Sequence, residues 1–289
     1  MGVPSETAAG VTGLLIVNAD DYALTEAISR GILRAHRDGV VTSTSVLAVG
    51  PALRRTAGWL TAEPALGVGA HLALVGEDPP VLTAAEIPTL VDRRGRFPLS
   101  WRAFLVRAAT PGRVDPADVE REFTAQLDVL TRDHGLPLTH LDTHQHLHLW
   151  PPVAAVLVRL ARRHGVGAVR LPSSAATGPK GAGIRLLSRR LAARIREAGL
   201  VAPAGYGGLD EAGALTLPRF LATVGRLAAS RAASIEINCH PGEADDPDRA
   251  RYAWDFRWDA ELAALTSREL RTAIAGHGLR TGGYADLPG

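Results

Sequence analysis

Four of the ten histidines fall in one nine-residue stretch, HLDTHQHLH, from His140 to His148. An even spread would put roughly a third of a histidine in such a window, so imidazole chemistry, either metal ligation or acid–base work, is the first reading. His140, Asp142, His144, His146 and His148 share parity and would line one face if the segment stayed extended. Nine extended residues reach ~30 Å, so one ion can take only one or two of them. The outer pair, His140 and His148, is expected to hydrogen-bond within the wall of the fold. A second cluster, Asn18, Ala19, Asp20 and Asp21, directly follows the apolar run LLIV. Adjacent carboxylates on a continuing strand point to opposite faces. For both to serve one site the strand must end there, with Tyr22 and Ala23 turning the chain into Thr25. Taken alone, the pair is equally a solvated loop or a helix cap.

The elements that must position these groups alternate short apolar runs with longer amphipathic ones, the pattern of strands joined by helices. Strands are predicted over 14–19, 40–49, 66–71, 139–143, 167–171, 233–239 and 279–283. Helices are predicted over 26–37, from Pro51 to before Pro64, from Asp115 to His134, after Pro151, and near 184–198, 217–229 and 259–275. Between 76 and 116 seven prolines and glycines weaken the periodicity, which predicts a long insertion of the kind that forms lids or substrate walls. The expectation is an α/β fold: one domain over 14–289, built as a closed or nearly closed (β/α) barrel of about seven strands, preceded by a disordered tail over 1–13. In such folds the C-terminal strand ends assemble the active site. Asp20 and Asp21, His71, His144 and His240 each follow an apolar strand, so all are placed on one rim.

The stretches LIVNADDY (15–22), GVVTSTSVLAVGPA (39–52), GVGAHLAL (67–74), THLDTHQHLHLWP (139–151) and NCHPGE (238–243) resemble, in order and separation, the YdjC family of carbohydrate deacetylases, related to the NodB-type polysaccharide deacetylases. The insertion over 76–98 and the strand AVRLP (168–172) are most similar to the hopanoid-biosynthesis-associated branch. The resemblance implies a hydrolase that removes acetyl from the nitrogen of an amino sugar, with an N-acetylglucosaminyl hopanoid as one substrate and chitooligosaccharides as the alternative. It makes Asp21, His71 and His144 the ligands of one divalent ion, zinc, magnesium, cobalt or nickel, with Asp20 the base and His240 the general acid. Arg170 either orients the sugar, tunes an Asp or pairs on the rim, and with His146 it is the candidate for substrate contact. Tyr22 and Ala23 depart from the family's usual Phe and Gly at these positions.

Hydrophobic residues make up 46% of the 289 and charged residues 21%, the balance of a globular chain. A net charge of +2 is too slight an excess to imply nucleic-acid binding, which needs a clustered basic face. The single cysteine, Cys239, excludes an internal disulfide, and no signal sequence or long uncharged apolar run is present, which predicts a cytoplasmic protein. The helix around 183–199 places Leu187, Leu191 and Ile195 on one face, as either a peripheral membrane contact or an ordinary barrel helix. Other readings are a metal-using sugar isomerase or aldolase and a non-catalytic metal- or sugar-binding barrel. The oligomeric state is not legible.

Overall fold

The computed structural model describes residues 13–288. The tail predicted over 1–13 therefore falls outside the described residues except for Gly13, which already opens the first strand. Eight parallel strands form a single sheet: β1 Gly13–Tyr22, β2 Ser43–Val46, β3 Gly67–Leu72, β4 Leu138–Thr143, β5 Ala168–Val169, β6 Gly205–Gly207, β7 Ser234–Cys239 and β8 Leu279–Thr281. Their order is β5-β4-β3-β2-β1-β7-β6, with β8 pairing the start of β1. The sheet curls back on itself. Arg170, just past the edge strand β5, hydrogen-bonds Glu236 of β7 beside the opposite edge at 2.6 Å, which a flat sheet would forbid. Among the described residues no ladder joins β5 to β6, so the result is the nearly closed (β/α) barrel that the strand pattern predicts.

The period of two along each strand separates two environments. Leu15, Val17 and Ala19 of β1, Ala70 and Leu72 of β3, and Ile235 and Ile237 of β7 point outward into the main core shared with the helices. The inward set is polar: Asn18 and Asp20, Ser43 and Ser45, His71, His140 and Asp142, Glu236 and Asn238 are all buried. In-register pairing of Asn18 with Ser43 and Asn238, and of His71 with Asp142, stacks these groups into neighbouring rows. Leu14, Ile16, Ala168 and Tyr284 close the barrel's N-terminal end with an apolar plug. The polar rows therefore face the C-terminal rim.

The helices are α1 Glu26–Arg37, α2 Leu53–Thr56, α3 Trp101–Ala108, α4 Pro116–Asp128, α5 Pro151–Arg163, α6 Pro179–Glu197, α7 Leu217–Ala229, α8 Trp258–Leu265 and α9 Arg268–Gly276. Thr25 caps α1 and Asp115 caps α4 through side-chain oxygens. Four features differ from the sequence-based expectation. The 51–64 helix is one α-helical turn continued as a 3-10 segment. The insertion contains α3, started by the Ser100 cap. The last long helix is two, because Ser267 caps a new one, α9. The short strand β6 was too glycine-rich to be read as one.

One close approach has no slack. A Cβ at Gly69 would overlap the imidazole of His140, the neighbour it pairs with across β3 and β4. Gly69→Ala is expected to lower stability by about 2 kcal/mol, as overpacked cores do, read as a lower urea midpoint at unchanged slope.

Candidate metal and acid–base site

The carboxylates of Asp20 and Asp21 reach one site because β1 does not stay regular. Between Ala19 and Tyr22 the pairing with β2 slips by one residue, and Asp21 has φ +66°, a β-bulge in the left-handed region. The strand pairing continues to Tyr22, so it is this bulge rather than a strand end that turns Asp21 to the side of Asp20. Ala23, where the resembling family usually has Gly, sits at φ +77° and carries the strain a Gly would not.

In HLDTHQHLH the extended run ends at Thr143. Gln145 and His146 have φ +53° and +55°, so the shared-parity expectation fails beyond the strand. His144 lands at the rim. His148 is folded back beneath it, bonded to the Thr143 hydroxyl at 2.7 Å and the Arg170 carbonyl at 3.2 Å. His140 bonds Ser45 and Thr139 and stacks on Tyr284 at 3.8 Å. These outer histidines are wall residues, as expected, and burial lowers them to about 3 and about 4, so they are neutral. His146 sits partly buried on the cavity floor, edge-on to Tyr206.

Three donor atoms converge. His144 Nδ1 lies 3.2 Å and His71 Nε2 3.5 Å from Asp21 Oδ1, and the two nitrogens are 3.3 Å apart. Ligand atoms on a tetrahedral cation at about 2.1 Å stand roughly 3.4 Å from one another, so the triangle has the right size for one ion. Asp21 Oδ1 is buried and receives no hydrogen bond, the condition of an oxygen kept for a cation. His71 Nδ1 bonds Asp142 Oδ1 at 2.7 Å, which fixes the ring and leaves Nε2 facing the triangle. Burial lowers the proton affinity of His71, but Asp142 beside it, with Asp20 and Asp21, outweighs that and raises it to about 9. The field at this point favours positive charge.

Beneath the triangle lies Arg170, with 0% exposure. Its Nη1 and Nη2 donate to the two oxygens of Asp20 at 2.8 and 2.6 Å, Nη1 also meets Asp142 at 2.5 Å, and Nε donates to Glu236 at 2.6 Å. Asn18 and Asn238 donate to Asp20 as well. Burial pushes the Asp20 carboxyl up, but the guanidinium prevails and holds it well below the usual range. Asp142 is likewise held low. For Glu236 burial prevails over Arg170 and lifts it to about 7. Of the roles considered for Arg170, direct contact with a sugar is ruled out by its burial. Its geometry is that of a group tuning Asp20.

His240, buried at the end of β7, puts Nε2 3.9 Å from Asp20 Oδ2. Its backbone N–H donates to Glu261 at 2.6 Å, and the same carboxylate receives Leu215 N–H. Trp254 stacks on His144 with centroids 5.3 Å apart and donates to Glu77 at 3.1 Å. Tyr252 and Arg251 reach Asp78, so the loop after β7 is tied to the start of the insertion. Asp142, Glu236, Glu261 and Trp254 were not singled out from sequence as site residues. Only Asp142 had a signal, its parity with His140. The site opens into a cavity of about 660 Å³. Beyond the polar end its walls are largely apolar, including Trp101, Leu105, Trp150, Ile184, Leu187 and Phe256, with Gln145 and Lys180 among them.

Comparison with known proteins agrees with this architecture. The pattern defining YdjC-like proteins matches residues 14–276. The carbohydrate deacetylase of Geobacillus stearothermophilus is 32% identical over 272 residues, covering 94% of this chain and 97% of its own. The chitooligosaccharide deacetylase of Klebsiella pneumoniae strain 342 is 30% identical over 276 residues, covering 95% and 99%. A crystal structure from Enterococcus faecalis V583, provisionally named a cellobiose-phosphate cleavage protein, superposes with TM-score 0.79 at 26% identity, covering 96% of this chain and 99% of that one.

Two outcomes are expected. His144→Ala loses divalent metal by elemental analysis of the purified protein; unchanged metal content would move the ligand to His146. Arg170→Gln strands buried carboxylates and costs about 3–5 kcal/mol at pH 7 by urea unfolding. Asp20 and Asp142 lie below their ordinary 3.8 when folded. The stability they give the native protein is therefore full above that value and lost progressively as pH falls below it toward their lower folded values, so the deficit of the variant narrows below about pH 4.

Proposed function

This chain belongs to the YdjC-like protein family, and on that premise we propose that it hydrolyses the acetamide of an N-acetylated amino sugar. The observation that carries the reading is the donor triangle of Asp21, His71 and His144, with its atoms 3.2–3.5 Å apart, set beside Asp20 and His240 at the closed end of a cavity. Those three side chains would hold one divalent ion, which supplies Lewis-acid polarisation of an amide carbonyl and water ionised near neutral pH. Zinc, cobalt and nickel suit two imidazoles and a carboxylate better than magnesium does.

Each remaining group has a separate task. Asp20 accepts the proton of the attacking water. Arg170 favours the ionised form of Asp20 before attack and fixes its oxygens in direction. His240 Nε2 delivers a proton to the amine nitrogen, which leaves poorly without one; positioned proton donors of this kind contribute about 100-fold to 10,000-fold. Glu261 anchors the His240 backbone. Trp254, lying on His144, excludes water from that side of the site.

The sugar's other substituent is apolar in our reading, an N-acetylglucosaminyl hopanoid being one such compound. Support comes from the walls: Leu105, Trp150, Ile184 and Leu187 offer a sugar chain few hydrogen bonds. A second reading, chitooligosaccharide deacetylation, is favoured by the names of the relatives and by Trp101, Trp150 and Trp254, on whose faces sugar rings stack.

Incubation with N-acetylglucosaminyl hopanoid and with chitobiose, side by side, is expected to release acetate from the first faster. The reverse ratio selects the second reading, and acetate from neither sinks both. Asp20→Asn is expected to keep its metal and lose at least about 100-fold in kcat. Full turnover in that variant would remove Asp20 as the base, and a binding protein without turnover would show no acetate in either form.

A further inference from the structure

We propose that the mouth of the cavity docks on an anionic lipid bilayer, through the exposed face of α6 and the segment that runs into α3. The face of α6 that the sequence singled out is not the one involved. Leu191 and Ile195 are 2% exposed and pack into the core, and Leu187 lines the cavity, so that stripe is the inner face of a barrel helix.

A different apolar surface is left over. Among the described residues the large hydrophobic side chains that stay exposed are Val81, Leu99, Trp101, Val106 and Leu186. Leu99, Trp101 and Val106 lie on the run into and along α3, and Leu186 lies on α6. Both elements wall the cavity, and Trp101, 37% exposed, belongs to the cavity and to the surface at once.

The charge around this surface is one-sided. α6 carries five arginines and Lys180 against one acid, Glu197. Elsewhere some exposed arginines find carboxylates, Arg30 and Arg55 around α1, Arg121, Arg159 and Arg163 on α4 and α5, and Arg226 on α7, while others, such as Arg93, Arg162 and Arg219, reach none among the described residues; what marks α6 is five arginines gathered on one helix. Arg189, Arg190, Arg194, Arg196 and Lys180 reach none among the described residues. Arg189 and Arg190 follow Leu186 by three and four residues and so share its face. Trp101 is flanked by Arg102 at 5.2 Å and Lys180 at 5.8 Å.

An indole and leucines ringed by long cationic side chains suit the boundary between acyl chains and phosphate headgroups. The apolar groups enter, and the guanidinium groups extend back to the anionic plane. A nucleic acid would use the arginines and leave Leu99 and Leu186 in water. Among the described residues no helix is long and apolar enough to cross a membrane, so the contact is peripheral. The surface does not depend on the deacetylase reading. If that reading holds, docking sets the cavity mouth against the layer in which an apolar aglycone is dissolved.

Co-sedimentation of the full chain with vesicles of phosphatidylcholine, alone or mixed with phosphatidylglycerol, tests it. Binding is expected only with phosphatidylglycerol and weaker in high salt. Arg189→Gln with Arg190→Gln should lower partitioning roughly 30-fold. Leu99→Ser with Leu186→Ser should weaken it while leaving the salt dependence in place. The proposal is overturned by no binding to either vesicle, by binding that neither pair alters, or by equal binding to duplex DNA that the leucine pair leaves unchanged. Acetate release from soluble substrate, expected unchanged in both variants, separates failure of docking from failure of the enzymatic reading.

Discussion

Everything at the centre of this barrel is arranged around one buried guanidinium. Arg170 is the cation that lets Asp20, Asp142 and Glu236 occupy an interior that would otherwise reject all three. Its pairing with Asp142 in turn decides what His71 does, because the same carboxylate holds the imidazole from the other side. One positive charge does not balance three negative ones. A doubly charged ion on the triad, where Asp21 adds a fourth carboxylate, would leave a single carboxylate in excess. Glu236 is the carboxylate of this cluster whose proton affinity burial raises to about 7.

The second constraint is local backbone. Period-two geometry alone would send Asp20 and Asp21 to opposite faces, and it would string His140 to His148 along one. Neither happens, because the chain enters the left-handed region at Asp21 and again at Gln145 and His146. Each departure costs about 1–2 kcal/mol; the first turns Asp21 toward the common pocket, and the others end the extended run just past His144. Hydrogen bonds and packing around them, such as the bidentate hold on Asp20 and the indole over His144, sustain the strain.

What was legible in the sequence follows from these two facts. Strands such as Ser234–Cys239 and helices such as Glu26–Arg37 announce themselves through periodicity and caps, and the rim placement of Asp20, Asp21, His71, His144 and His240 follows from where the strands stop. The bulge at Asp21 does not, since nothing in Asp-Asp-Tyr marks a slipped register. Nor do Glu236 and Glu261, whose neighbours SIEINC and WDAELAAL read as ordinary buried strand and amphipathic helix. Their partners, Arg170, His240 and Leu215, are 66, 21 and 46 residues away. Long-range pairing of charges leaves no local pattern. Arg170 was noticed at a strand end, but its tasks depend on three partners that only the curled sheet brings within reach.

The hydrogen bonds from Arg251, Tyr252 and Trp254 to Glu77 and Asp78 join segments more than 170 residues apart. During vectorial synthesis the three residues of the proposed cation triangle have all been added by position 144, about halfway along. His240 and the cover at 251–254 come in the last fifth of the sequence. A nascent chain thus carries the triangle's residues long before it has the segment that encloses them.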